Sequence, residues 1–149
     1  MKKPIQSMVL AGALLLLSVS ALANDSERDA VDQVMQKMMR GFESGDPNLI
    51  LEVLRRDGVV VGYSAPRGSV VTQSAEEWAN GFTGKPAADE ALRKRSYEIL
   101  EVGRDAAIVK VTLDYPRWDG LDYLALSKID GKWMIVSKSW SGQSKPAAP

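Results

Sequence analysis

Asp122-Tyr123-Leu124-Ala125-Leu126-Ser127-Lys128-Ile129-Asp130-Gly131-Lys132-Trp133-Met134-Ile135-Val136-Ser137-Lys138 is the stretch that decides the fold. Apolar and polar residues alternate on both sides of Asp130-Gly131, which is the period of a half-buried strand. Asp-Gly supplies the positive φ values of a two-residue type I′ turn, so the stretch reads as a β-hairpin. In that hairpin Ile129 faces Lys132, Leu126 faces Ile135, Leu124 faces Ser137 and Asp122 faces Ser139. Facing residues share one side of the sheet.

The same alternation continues upstream. Strands are predicted over 93–102, 106–115, 121–129 and 132–140, with turns at Gly103-Arg104-Asp105 and from Pro116 to Gly120. Connections this short give an antiparallel meander. The turn at Gly103 sets Ile99 beside Val109, Tyr97 beside Val111 and Arg95 beside Leu113, and it makes Glu98 and Lys110 an opposite-charge pair on the other face. Placing Val111 beside Leu124 and Leu113 beside Asp122 completes the register.

Before residue 93 the period is helical. Ser26 opens a first helix whose Val31, Val34, Met35, Met38 and Phe42 recur on one face, and Gly45 ends it. Asp46-Pro47 restarts a helix with Leu49, Ile50, Val53 and Leu54 as its apolar stripe. A short strand follows at Val59-Val60-Val61-Gly62-Tyr63. Ser74-Ala75-Glu76-Glu77 is a capping box that opens a third helix through Trp78 to Phe82. Helices followed by a meander indicate an α+β domain, three N-terminal helices packed on a curved antiparallel β-sheet.

The N-terminus differs in kind. Lys2 and Lys3 precede an uncharged apolar run over 8–19, and Ala21-Leu22-Ala23 is an A-x-A cleavage pattern. The apolar run is shorter than the ~18 residues that a spanning helix needs. The expectation is a signal peptide over 1–23 cleaved after Ala23, a domain over 24–141 and a flexible tail over 142–149, placing the protein in the periplasm or outside the cell. Of 19 basic and 19 acidic residues, the signal removes two lysines, leaving 17 and 19, a net charge near −2. That balance argues against nucleic acid or an anionic membrane surface as partner. The chain has no cysteine, hence no disulfide, and no histidine, the commonest metal ligand and proton shuttle. No metal site or cofactor is expected.

The predicted inner face is graded. Ile99, Val109, Leu126 and Ile135 are plain core; Tyr97, Val111, Leu124 and Ser137 form the next row; Arg95, Leu113, Asp122 and Ser139 form a polar end. Inward polar groups need partners or water. Arg95 and Asp122 read either as a semi-buried ion pair at the sheet's edge or as the mouth of a cavity, with Trp78, Tyr97 and Tyr115 as walls. The outer face carries Ile108, Tyr123, Met134, Val136 and Trp140 among Lys94, Lys110 and Lys138, an apolar patch suited to a homodimer.

On the run from Asp122 to Lys138, the chain resembles the nuclear-transport-factor-2-like (SnoaL-like) superfamily, and within it looks most like the branch labelled "putative lumazine-binding". Gly45-Asp46 and Val102-Gly103-Arg104-Asp105-Ala106 add to the resemblance. It implies a helix-covered sheet curled into a cone, a pocket inside it and frequent dimers through the sheet. It does not set a function, because this fold hosts enzymes, binders and scaffolds. Two departures weaken any transfer of catalytic residues: the chain lacks histidine, and Ser137 stands where relatives are expected to carry asparagine. The expected function is therefore an exported small-ligand-binding or accessory domain, non-catalytic. The ligand-contacting residues would be Arg95, Tyr97, Asp122, Ser137, Ser139, Trp78 and Tyr115. The alternative is an acid–base enzyme of isomerase, cyclase or dehydratase type, with Asp122 as base and Arg95 or Tyr97 steadying negative charge.

Overall fold

The computed structural model describes residues 10–146, with side chains from Asp25 onward. Helix α1 spans Leu10–Ser44 and α2 Pro47–Leu51, followed by strands β1 Leu54–Ser64 and β2 Ser69–Ser74. Helix α3, Ala75–Ala79, leads through a loop into β3 Lys94–Val102, β4 Ala106–Tyr115, β5 Trp118–Ile129 and β6 Lys132–Ser144. The six strands form one sheet in the order β2-β1-β6-β5-β4-β3.

The meander β3 to β6 is antiparallel, as the alternation predicted. The sheet as a whole is mixed, because β1 joins it parallel to β6. The hairpin at Asp130 and Gly131 has φ of 50° and 77°, the left-handed pair that a type I′ turn needs. Asp46 caps α2 and Ser74 caps α3 with its full capping box. Several elements differ from expectation. Leu54 already belongs to β1, so α2 is shorter and β1 longer than the apolar stripe suggested. Ser69–Ser74 is an edge strand in a segment to which the sequence reading gave no element before the Ser74 capping box.

Helix α1 does not start at Ser26. It continues unbroken from Leu10, through a leucine- and alanine-rich stretch of high helix propensity. Lys2 and Lys3 lie outside the described residues. At the other end β6 pairs with β5 as far as Ser144, into the segment expected to be tail.

The helices cover one sheet face. Val31, Met35 and Met38 of α1, Ile50 of α2 and Ala79 of α3 are fully buried against Val60, Val109, Val111, Leu124, Leu126 and Ile135. Ile108, Leu121 and Tyr123 are exposed on the opposite face.

Register separates the two hairpins that matter. Ile99 pairs with Val109, Tyr97 with Val111 and Arg95 with Leu113, as predicted, and Lys110 and Glu98 meet at 3.1 Å. Between β4 and β5 the true turn is Pro116-Arg117 alone, so Val109 pairs with Leu124 and Val111 with Asp122. A slip of two keeps every side chain on its expected face. Between β5 and β6, Leu126 pairs with Ile135, yet Ala125 pairs with Ser137. Val136 is an inserted residue, a β-bulge. Its carbonyl would lie 2.7 Å from a Cβ at Gly58, so glycine there makes room for the bulge. Beyond Val136 the faces of β6 are exchanged: Lys138 turns inward and is buried, while Ser139 is exposed.

Candidate functional site

Asp122 sits on β5 two residues before the core Leu124, so the strand's alternation points it under the helices. The bulge brings Lys138 to the same place from β6. The two side chains form an ion pair at 2.5 Å with only 4% and 6% of their surface exposed. Burial pushes the Asp122 carboxyl up, against the pull of the Lys138 ammonium. Burial likewise pulls the Lys138 amine down, against the field of Asp122. Each group is displaced toward its neutral form, which narrows the gap between the charged pair and the pair with its proton moved. The Lys138 nitrogen also stands 5.2 Å from the Trp78 ring centroid.

A second polar group lies on β3 and β4. Arg95 donates from Nε to the Tyr115 hydroxyl at 2.8 Å, and its two terminal nitrogens clasp the Glu90 carboxylate. Burial works against the Arg95 charge, but Glu90 and Tyr115 outweigh it and raise its pKa. The Tyr115 ring packs between guanidinium groups, Arg93 at 4.5 Å and Arg95 at 4.9 Å from its centroid. Burial raises the Tyr115 phenol, while Arg95 draws it down. The hydroxyl accepts from Arg95, and among the described residues no acceptor takes its proton. It is a polarised donor with its hydrogen free.

Both groups line one cavity of about 320 Å³. Phe42, Trp78 and Phe82 form its apolar roof, packed on one another with ring centroids 5.3–5.9 Å apart. Trp118 and Trp140, with ring centroids 6.2 Å apart, also line it. Apolar walls with a few convergent polar groups are the usual make-up of a small-molecule site. No cluster of metal-ligating side chains occurs among the described residues.

Of the residues expected at the site, Arg95, Asp122, Trp78 and Tyr115 line this cavity. Arg95 and Asp122 do not pair with each other, since Glu90 holds one and Lys138 the other. Tyr97 faces inward, but its hydroxyl donates to Asp32 of α1 at 2.6 Å and is not part of the cavity lining. Ser137 and Ser139 are displaced from the inner face by the bulge, and Lys138 and Trp140, expected outside, take their place. Lys138 is the cavity-lining charge that alternation alone put on the outer face. The one available signal was Gly58, a glycine beside a strand, and it marks the bulge only once its neighbour is known.

The model of the family described as "Putative lumazine-binding" matches residues 26–141. The chain belongs to that family. Within reach of it lies the Aldolase FrzH of Cladobotryum sp., 30% identical over 119 residues that cover 76% of this chain and 89% of that protein. Among solved structures, an NTF2-like protein from Methylobacillus flagellatus KT superposes with a TM-score of 0.68 at 19% identity, covering 79% of this chain and 93% of that one. An NTF2-like protein from Shewanella baltica OS155 gives a TM-score of 0.67 at 17% identity, covering 80% and 96%. These likenesses establish the NTF2-like fold of this family member.

Proposed function

We propose that this protein binds a small, mostly apolar carbonyl compound inside the cone and moves a proton on the carbon beside the carbonyl. The observation that carries the proposal is the Asp122–Lys138 pair, buried in the wall of a cavity rich in aromatic side chains. A carboxylate whose pKa burial has raised is a stronger base than one in water, which suits abstraction of a weakly acidic proton. Tyr115, polarised by Arg95, offers its hydroxyl proton to the oxygen on which negative charge develops, the role the sequence reading gave to Arg95 or Tyr97. The relative named as an aldolase is consistent with this chemistry, since aldol reactions begin with loss of such a proton.

The test is hydrogen–deuterium exchange at the α-carbons of a panel of aryl ketones in D₂O, followed by NMR. Exchange faster than buffer that disappears in Asp122→Asn supports the proposal; no exchange for any ketone that binds removes it.

A second reading is a binder that catalyses nothing. The 2.5 Å bond to Lys138 favours it, because a base locked in an ion pair is less available. The same panel separates the two, since a binder shields or shifts ligand signals without exchanging protons. We propose further that the domain is exported and processed after Ala23, which mass spectrometry of the mature chain checks by a first residue of Asn24. The exposed Ile108, Leu121 and Tyr123 make a homodimer through the outer sheet face the expected assembly, and light scattering decides it.

A further inference from the structure

The acid–base reading leaves Lys138 as a counter-ion, yet its position offers more. Lys138 is the cavity's one ammonium, carried on a rigid strand, under the Trp78 ring and in direct contact with the carboxylate that could take its proton. Surface lysines cannot offer this combination: Lys145 is held by Asp114 and Asp119 at the ends of β4 and β5, and Lys37 by Glu52 in solvent. We infer that Lys138 is a covalent catalytic residue, whose amine condenses with the substrate carbonyl to form an iminium, and that Asp122 serves both that condensation and the later proton abstraction. This inference rests on the acid–base reading and deepens it by naming the electrophile, an aldehyde or ketone carbon, and the nucleophile.

The steps balance within the pair. An apolar substrate that displaces water from the cavity removes solvation from both charges, favouring transfer of the ammonium proton to Asp122. The freed amine attacks the carbonyl carbon, and the C=O π electrons move to oxygen, where the Tyr115 hydroxyl steadies them. A nitrogen proton passes to that oxygen to give the neutral carbinolamine. Asp122 then returns its proton to the carbinolamine hydroxyl, the C–O bond breaks, water leaves and the nitrogen lone pair forms the C=N⁺ bond. One ammonium and one carbonyl have become one iminium and one water. Asp122, again a carboxylate, removes the α-proton and leaves an enamine, the carbon nucleophile of a carbon–carbon bond-forming or bond-breaking reaction. No oxidant, reductant or metal enters.

The walls define the substrate class. About 320 Å³ lined by Phe42, Trp78, Phe82 and Trp118 fits a flat or compact carbonyl compound of low charge better than a sugar phosphate, whose anion would require unpaired cations. Arg95 is already committed to Glu90 and Tyr115, and Arg93 donates to Asp89.

The experiment uses the full chain with acetylacetone, which condenses with an unprotonated lysine amine, losing water, to give a conjugated enaminone with its own near-ultraviolet band. In parallel, an aryl methyl ketone is reduced onto the protein with borohydride, and the modified peptide is mapped. The expected result is one adduct per chain at Lys138, formed at least ten-fold faster than at any other lysine, with loss of the enaminone band in Lys138→Arg. Mapping on the unsubstituted protein gives an answer even if that variant fails to fold. Ketone α-proton exchange that persists without any Lys138 adduct overturns the iminium and leaves Asp122 as a simple base. Absence of both exchange and adduct overturns this inference together with the reading beneath it.

Discussion

Lys138→Met is the perturbation that interrogates the site most directly. Removing one partner of a buried ion pair leaves the other charge uncompensated, which costs about 3–5 kcal/mol. Asp122 and Lys138 are both nearly inaccessible, so solvent offers little relief. Taking residues 26–141 as the cooperative unit, an unfolding entropy of roughly 2.1 cal/mol/K per residue converts that cost into a fall in Tm of about 12–20 °C at neutral pH. Loss of the ammonium also removes what holds the Asp122 pKa down, so the carboxyl protonates more readily and the deficit shrinks in mild acid. The sign for the intact pair follows from the two shifts. A carboxyl raised above 3.8 contributes stability that is full below that pH and lost as pH rises through its folded value. An amine lowered below 10.5 contributes stability that is present above that pH and lost as pH falls through its folded value. Between those limits both groups are ionised at a net cost to the fold. The double variant Asp122→Leu/Lys138→Met should therefore match the parent or exceed it by about 1–4 kcal/mol. Thermal unfolding by circular dichroism, at neutral pH and again in mild acid, measures all three proteins. A single variant within a few degrees of the parent, or a double variant as unstable as the single, would refute this account of the pair.

Tyr115→Phe keeps the ring between Arg93 and Arg95 but removes the donor, so α-proton exchange should fall by about 10²–10³-fold with ligand affinity little changed. In Tyr97→Phe, spectrophotometric titration should lose the phenol pushed up to about 12 by burial and by Asp32. Because that pKa lies above the ordinary 10.0, the stability Tyr97 contributes is full below pH 10.0 and is lost as pH rises through about 12, so the variant's Tm deficit should close over that window. Glu27, held low by hydrogen bonds from Lys128 and Trp133, ties α1 to the β5–β6 hairpin. Its lowered pKa contributes stability that is present above 4.5 and lost as pH falls through the folded value. Glu27→Gln should thus lower Tm at neutral pH, with the difference from the parent vanishing in acid.

Local chemistry made most of the fold legible. Asp130-Gly131, Asp46-Pro47 and the Ser74 capping box each satisfy backbone needs that few other residue choices meet, and each stands where expected. The β3–β4 register was readable from Ile99 onward, where the Glu98–Lys110 pair marks it; nearer the turn Val102 pairs with Ala107, and the extra residue Leu100 restores the predicted partners. Asp122 was readable because β5 alternates without interruption. What was not legible is anything set by contact between distant segments. The parallel docking of β1 on β6 has no local signature. The Val136 bulge depends on Gly58, which is far away in sequence. Glu90 is a local case that periodicity also does not report: it opens a single 3-10 turn, Glu90–Leu92, which folds its carboxylate back onto Arg95 five residues on.

The extra residue in β6 has a consequence for how such chains are compared. Identical letters in an aligned column need not occupy equivalent space, since a one-residue insertion swaps lumen for exterior along everything downstream. A relative with serine or threonine aligned to Lys138 can still hold an amine in its interior by carrying that insertion elsewhere, and a relative with lysine in the same column can display it to water. Ancestry in this family can thus relocate reactive groups by altering backbone phase alone, with no change in which amino acids the strand contains.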